Sequence, residues 1–175
     1  TITASGANNG ISLQNTGTAA GLTVTGTGTP GSGGAIQNTT GAAVSLTNTG
    51  SISLAWMTLA GSDSHGIYGS TVRGLSLVDS QVLDAGDAIG EHGINLNNAS
   101  GNLVFQRHTI SNPFENGFQI VNTAGTVDQL TLVDNAFVNV AAPKGNGILI
   151  SAPAGSSTVF NRVDIMGNAT PDPML

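Results

Sequence analysis

The chain is predicted to be all-β and wound as one right-handed parallel β-helix, a solenoid of about six coils with three short strands in each. Three observations predict this. A motif of alternating apolar residues ending in Asn and Gly recurs along the whole chain. Each copy is followed by a second, and then a third, short run of period two. Finally, 25 of 175 residues are Gly and only 8 % are charged, which leaves too little charge to clothe the solvent face of an amphipathic helical bundle.

The repeat opens with Ile11-Ser12-Leu13-Gln14-Asn15-Thr16-Gly17 and returns as Val44-Ser45-Leu46-Thr47-Asn48-Thr49-Gly50. It returns again, loosely, from Ile67 to Gly74, then from Ile94 to Gly101, Phe118 to Gly125 and Ile148 to Gly155. The starting positions are spaced by 33, 23, 27, 24 and 30 residues, a variable period that calls for loops of variable length at one corner. Second strands are expected at Leu22/Val24, Ile52/Leu54, Leu75/Leu77, Leu103/Phe105, Leu130/Leu132 and Thr158/Phe160. Third strands are expected around Leu59, Val82, Ile110, Phe137 and Ile165, and Thr1-Ile2-Thr3 reads as the third strand of an incomplete first coil. None of these strands can bury its apolar face alone, so the coils must stack. Leu13, Leu46, Leu96, Ile120 and Ile150 should form one interior column and Leu54, Leu77, Phe105, Leu132 and Phe160 another.

Corner positions carry the remaining signal. Asn9, Ala42, His65, His92, Asn116 and Asn146 precede the first strand, each followed by Gly or Ala. An Asn-Gly pair here is expected to supply the positive φ of a sharp turn. Asn15, Asn48, Asn98 and Asn122 follow the strand and can hydrogen-bond their equivalents in adjacent coils, as polar ladders do in cross-β stacks. Residues 27–41 read as a flexible loop insertion rich in Gly, Thr and Ser. The whole of residues 1–175 is one domain, and without a helix to cap either end it is expected to be a segment of a longer solenoid or a subunit that stacks end to end.

The pattern N-G-I-x-L-x-N-x-x-G, then L-x-L, then I-x-N, resembles the β-helix repeats of the pectin-lyase-like superfamily and of large secreted bacterial adhesins. It covers Thr1 to about Asn168. The resemblance implies a location outside the cell or on its surface, and two functional classes. The first is a non-enzymatic structural or adhesive segment. The second is a carbohydrate-active β-helix that binds or cleaves a polysaccharide. In such hydrolases two or three acidic residues flank the scissile bond, and in such lyases calcium on carboxylates acidifies a proton that Arg or Lys removes. The corner holding Asp84, Asp87, Glu91 and His92 is the candidate catalytic cluster, with Asp79 nearby, and Arg73 and Lys144 are the bases a lyase could use. Glu91-His92-Gly93 resembles the Gly-His-Gly element of polygalacturonases, whose paired adjacent aspartates are absent here.

Other constellations have two readings. His65 and His92 on neighbouring coils, with Asp63 and Glu91 close in sequence, have the composition of a metal site. Because Asn fills the same column elsewhere, they also read as turn residues. Asp79, Arg107, Asp134 and Arg162 align as a file of alternating charge, which is structural rather than catalytic. Trp56, Tyr68 and Phe114, with Phe118 as a further candidate, are the aromatic side chains available for sugar stacking. The Thr-x-Thr pairs of an ice-binding ladder do not recur past Thr29. No cofactor is expected, save calcium for the lyase reading. The partners expected are a second copy of the chain or a cell-surface glycan. Four basic residues against ten acidic ones, a net charge of -6, exclude nucleic acid, and no apolar run reaches the length of a membrane span.

Overall fold

In a computed structural model, residues 1–17, 21–140 and 145–169 are described. They form a parallel β-solenoid of about five turns without a helix. An opening third strand, β1 (Ala4–Ser5), precedes the first full coil of β2 (Ile11–Thr16), β3 (Thr23–Val24) and β4 (Gly34–Gln37). The next two coils contribute β5 (Val44–Ala55) with β6 (Met57–Ser62), and β7 (Ile67–Val78) with β8 (Gln81–Ala85). Then come β9 (Ile94–Asn97), β10 (Ser100–Gln106) and β11 (Thr109–Ser111), followed by β12 (Phe118–Val121), β13 (Thr126–Val133) and β14 (Ala136–Val138). The last coil holds β15 (Ile148–Ser151), β16 (Val159–Phe160) and β17 (Val163–Met166).

Third strands stack into one six-stranded parallel sheet, β1-β4-β6-β8-β11-β14. First and second strands share an 11-stranded sheet, because in the coils of β5 and β7 they run on as single 12-residue strands. The segment 27–41, expected as a loop, contains β4, whose Ile36 is fully buried and pairs with Leu59. Ser32 closes the turn ahead of it by accepting the Thr27 amide and donating to the Thr29 carbonyl.

Each coil turns on single left-handed residues. At the corner between second and third strands these are Gly26, Trp56, Asp79, Arg107, Asp134 and Gly167, with φ between 51° and 63°. At the corner after the third strand they are Gly6, Asn38, Gly61, Asp84, Asn112 and Asn139. Each such residue redirects the strand and resets its alternation, so that apolar side chains again point inward after the bend. Asn and Asp tolerate this conformation, whereas for the bulky Trp56 it is strained.

Inside, Leu46, Leu96 and Ile120 stack with Leu13 and Ile150 as expected, with Gly69 standing in the same column. Leu54, Leu77, Phe105 and Leu132 form the second column. Its next member is Ile165, not Phe160: β17 pairs Val163 with Leu130 and Ile165 with Leu132, while Phe160 faces Val127. The branched apolar pair Val163/Ile165 thus takes the Leu130/Leu132 register. The third-strand column consequently ends at Phe137, with Ala169 bridging Ala136 beside it.

The glycines before the first strands also differ from expectation. Gly10, Gly66, Gly93 and Gly117 do not have positive φ. They are glycine because a Cβ would lie 2.3 Å from Ile36, 2.3 Å from Val82, 2.7 Å from Ile110 and 2.6 Å from Phe137 respectively. The third-strand column packs directly onto their backbone.

Candidate functional site

From His65 to Asn116 the column ahead of the first strand is a ladder in which the side chain accepts the main-chain N–H of the next coil. His65 Nδ1 accepts from the His92 amide at 2.9 Å and His92 Nδ1 from the Asn116 amide at 3.2 Å. Asn116 Oδ1 accepts from the Asn146 amide at 2.8 Å and from its side chain at 3.0 Å. Imidazole and carboxamide are thus interchangeable acceptors. The two histidine rings stack at 5.5 Å, and His65 also stacks on Tyr68 at 5.3 Å. Burial, then the neighbouring His92, pushes the His65 imidazole down to about 4, and burial lowers His92 as well. Both rings are neutral near pH 7 and use Nδ1 as an acceptor, which fixes the proton on Nε2.

With both Nδ1 atoms engaged and His65 Nε2 facing the Asn95 carboxamide at 3.4 Å, the pair is committed to the ladder. Among the described residues no group of three or more His, Asp or Glu side chains is arranged to hold a metal ion.

The acidic corner is equally occupied. Glu91 Oε2 accepts the main-chain N–H groups of Asp87 and Ala88, both at 2.8 Å, and so closes its own loop. Burial works against its charge, but these two donors hold its carboxyl below the usual range. Glu115 Oε2 accepts the Gly90 amide at 2.8 Å and lies 3.9 Å from His92 Nδ1. Asp84 Oδ1 accepts from Asn112, and Asn112 from Asn139, each at 2.7 Å, forming an outer ladder at the corner after the third strand. Asp87 is exposed and lies in the same loop.

The aromatic candidates are scattered, and Phe118 is fully buried against Phe105, closed to any sugar. Trp56 is a half-buried corner residue packed over Gly26. Phe114, also half-buried, donates its amide to the Ala85 carbonyl. Tyr68 lines an open notch of about 260 Å³ shared with Asn9, Ala42, Ser45, Ser64 and His65.

In the charge file, Arg107 grips Asp79 with two hydrogen bonds of 2.6 and 2.8 Å. Those bonds lower the Asp79 pKa and raise that of Arg107. Asp134 follows Arg107, but the fourth position is Gly167, since the Asp134 amide bonds the Met166 carbonyl. Arg162 lies elsewhere and pairs with Asp164. Lys144, the second base of the lyase reading, lies outside the described residues.

Two features escape sequence reasoning. Behind the charge file runs a buried polar spine: Ser80 donates its amide to His108 Nδ1, His108 to Asn135 Oδ1 and Asn135 to Asn168 Oδ1. Its signal is the polar residue that follows the corners at Asp79, Arg107, Asp134 and Gly167. Asn122, aligned with the outer Asn15/Asn48 ladder, instead turns inward, fully buried, to bond both the N–H and the C=O of Ala99.

The architecture defines a parallel β-solenoid protein. Comparison with protein-family models, with curated proteins and with solved structures finds no match.

Proposed function

We propose that the chain is a non-enzymatic structural or adhesive shaft of an extracellular or cell-surface protein, associating end to end by coil-on-coil stacking with a second copy. The observation that carries this reading is the open terminal coil. Val159, Val163, Ile165 and Met166 are 41–59 % exposed, and β17 is paired only on its β13 side among the described residues. At the opposite end Leu13 and Leu22 are only partly buried, and β2 is paired only with β5. The two ends therefore offer complementary parallel strand edges with apolar residues in the same columns, a heterologous contact that repeats rather than closes. The polar side chains of the shaft are spent on ladders that hold coil to coil, as a load-transmitting solenoid requires.

The carbohydrate-active alternative is less well supported. A general acid needs a raised pKa, whereas Glu91 is held low by main-chain donors that lock it into its own loop. The resemblance to pectin-lyase-like repeats supports the solenoid and the extracellular setting more than it supports their chemistry.

Size-exclusion chromatography with light scattering over a range of concentrations tests the proposal. Concentration-dependent oligomers that dissociate in the Ile165→Lys variant are expected. A strict monomer at every concentration would overturn end-to-end association.

A further inference from the structure

The notch beside Tyr68 has a definite structural origin. Ala42 occupies the ladder position that His65, His92 and Asn116 fill in later coils. Those three each present an acceptor to the next coil's main-chain N–H at 2.8–3.2 Å. Ala42 has none, so the His65 amide meets no such acceptor, and among the described residues no other group accepts from it. Beside Ala42, Ser45 is small where the aligned residues are Tyr68, Asn95 and Gln119. Ser12, its partner in the preceding coil, is equally small, so short side chains at Ala42 and Ser45 below the larger His65 and Tyr68 open the notch of about 260 Å³.

Its chemistry is specific. What is missing from the ladder rung is a neutral planar acceptor, the carboxamide that Asn116 supplies three coils on. An apolar cavity left by a truncated side chain binds a molecule shaped like the missing group, and a polar one should follow the same rule, because an unmet main-chain donor favours whatever restores its hydrogen bond. The space exceeds a bare amide, and its remaining walls are the Tyr68 ring and the polar side chains of Asn9, Ser45 and Ser64. An aromatic ring beside several hydroxyl and amide groups suits a ring that is apolar on its face and hydroxylated at its edge. No cation lines the notch, His65 is neutral above about pH 4, and the chain carries a net charge of -6, so an anionic ligand is disfavoured.

We propose that this notch is a binding site for an N-acetylhexosamine unit, its acetamido carbonyl accepting the His65 main-chain N–H in place of the absent side chain and its pyranose ring lying against Tyr68. The site does not depend on the shaft reading, since a strictly monomeric protein could still bind the sugar, and oligomers could form without it. As a single open subsite it should be weak alone and gain strength through repetition along an assembly.

Titration of the ¹⁵N-labelled chain with methyl N-acetyl-β-glucosaminide, methyl β-glucoside and acetamide, followed by NMR, tests this. The first should shift the amide signals of His65, Ala42 and Tyr68 with a Kd on the order of 1 mM. Acetamide should shift the same His65 signal more weakly, and the glucoside should bind at least about tenfold more weakly than the acetamido sugar. Ala42→Asn completes the ladder and should abolish the shifts while the fold is retained. Ser45→Gln, which restores the side chain that Gln119 provides in the same column, should do the same and serves if the first variant does not fold. Absence of shifts up to about 100 mM sugar, equal binding of the glucoside, undiminished binding by the filled variant, or preferential binding of an Asn-containing peptide would each overturn the proposal.

Discussion

Acidification should weaken this fold through His108, by an amount that the structure allows to be worked out. The ring sits in the polar spine, 2 % exposed, with Nδ1 accepting the Ser80 amide. Burial pushes its pKa down from 6.5 to about 4. The unfolded chain therefore takes up a proton near pH 6.5 that the native chain refuses until about pH 4. Native stability is complete above the unfolded value and falls as pH drops through this window. Between pH 7.5 and 4.5 the linkage amounts to about 2–3 kcal/mol. His65 and His92 shift in the same direction but are less deeply buried, so solvent damps their share, and the lowered carboxyls of Asp79 and Glu91 lose their stabilisation only at lower pH. To isolate His108, the His108→Asn variant installs the carboxamide that Asn135 and Asn168 already use in the spine. Urea unfolding followed by circular dichroism at both pH values should show the parent losing about 2–3 kcal/mol more than the variant. Equal losses in the two proteins, or a His108 NMR titration near pH 6.5, would refute the reasoning.

Reversing Arg107 to Asp should place three carboxylates in one file and lower stability by about 1 kcal/mol, the modest size reflecting an exposed pair. Arg162→Ala, outside that file, should change it by less than about 0.5 kcal/mol, and thermal melts at low and high salt separate the two. Asn122→Ala should cost about 2–3 kcal/mol, because it strands both the N–H and the C=O of Ala99 in the core; chemical denaturation measures it, and a cost below that of an exposed Asn15→Ala control would contradict the inward placement. Gly93→Ala should destabilise by about 1–3 kcal/mol by overpacking against Ile110 and the Gly117 carbonyl, and Ile110→Ala introduced with it should recover part of the loss if the clash is with that side chain.

Much of the architecture was legible in the sequence. The recurring apolar pairs located the strands, and the interior columns through Leu46, Leu96 and Ile120 and through Leu77, Phe105 and Leu132 follow from alignment alone. Even the bend at Asp79, Arg107 and Asp134 is demanded by alternation, which would otherwise point three charges into the core. The candidate sites were less legible. The Asn/His column was visible, but Ala42 within it reads as a neutral exception until the neighbouring Ser45 is seen to widen the same gap.

Periodicity by itself determined that this protein is a stack of coils, because a motif that cannot bury its own apolar face has no stable form except against its copies. Only the tertiary structure decided the phase of particular residues. Asn122 points inward while the aligned Asn15 and Asn48 stay outside, Val163 and Ile165 rather than Phe160 take the Leu130/Leu132 register, and Gly93 is small because Ile110 packs upon it rather than because the chain must turn. In each case, whether a given side chain faces the core or the solvent depends on the local backbone and on what the adjacent coil places against it: Asn15 and Asn48 are left-handed where Asn122 is not, and the deciding contact lies about one period away in the chain and one strand spacing away in space.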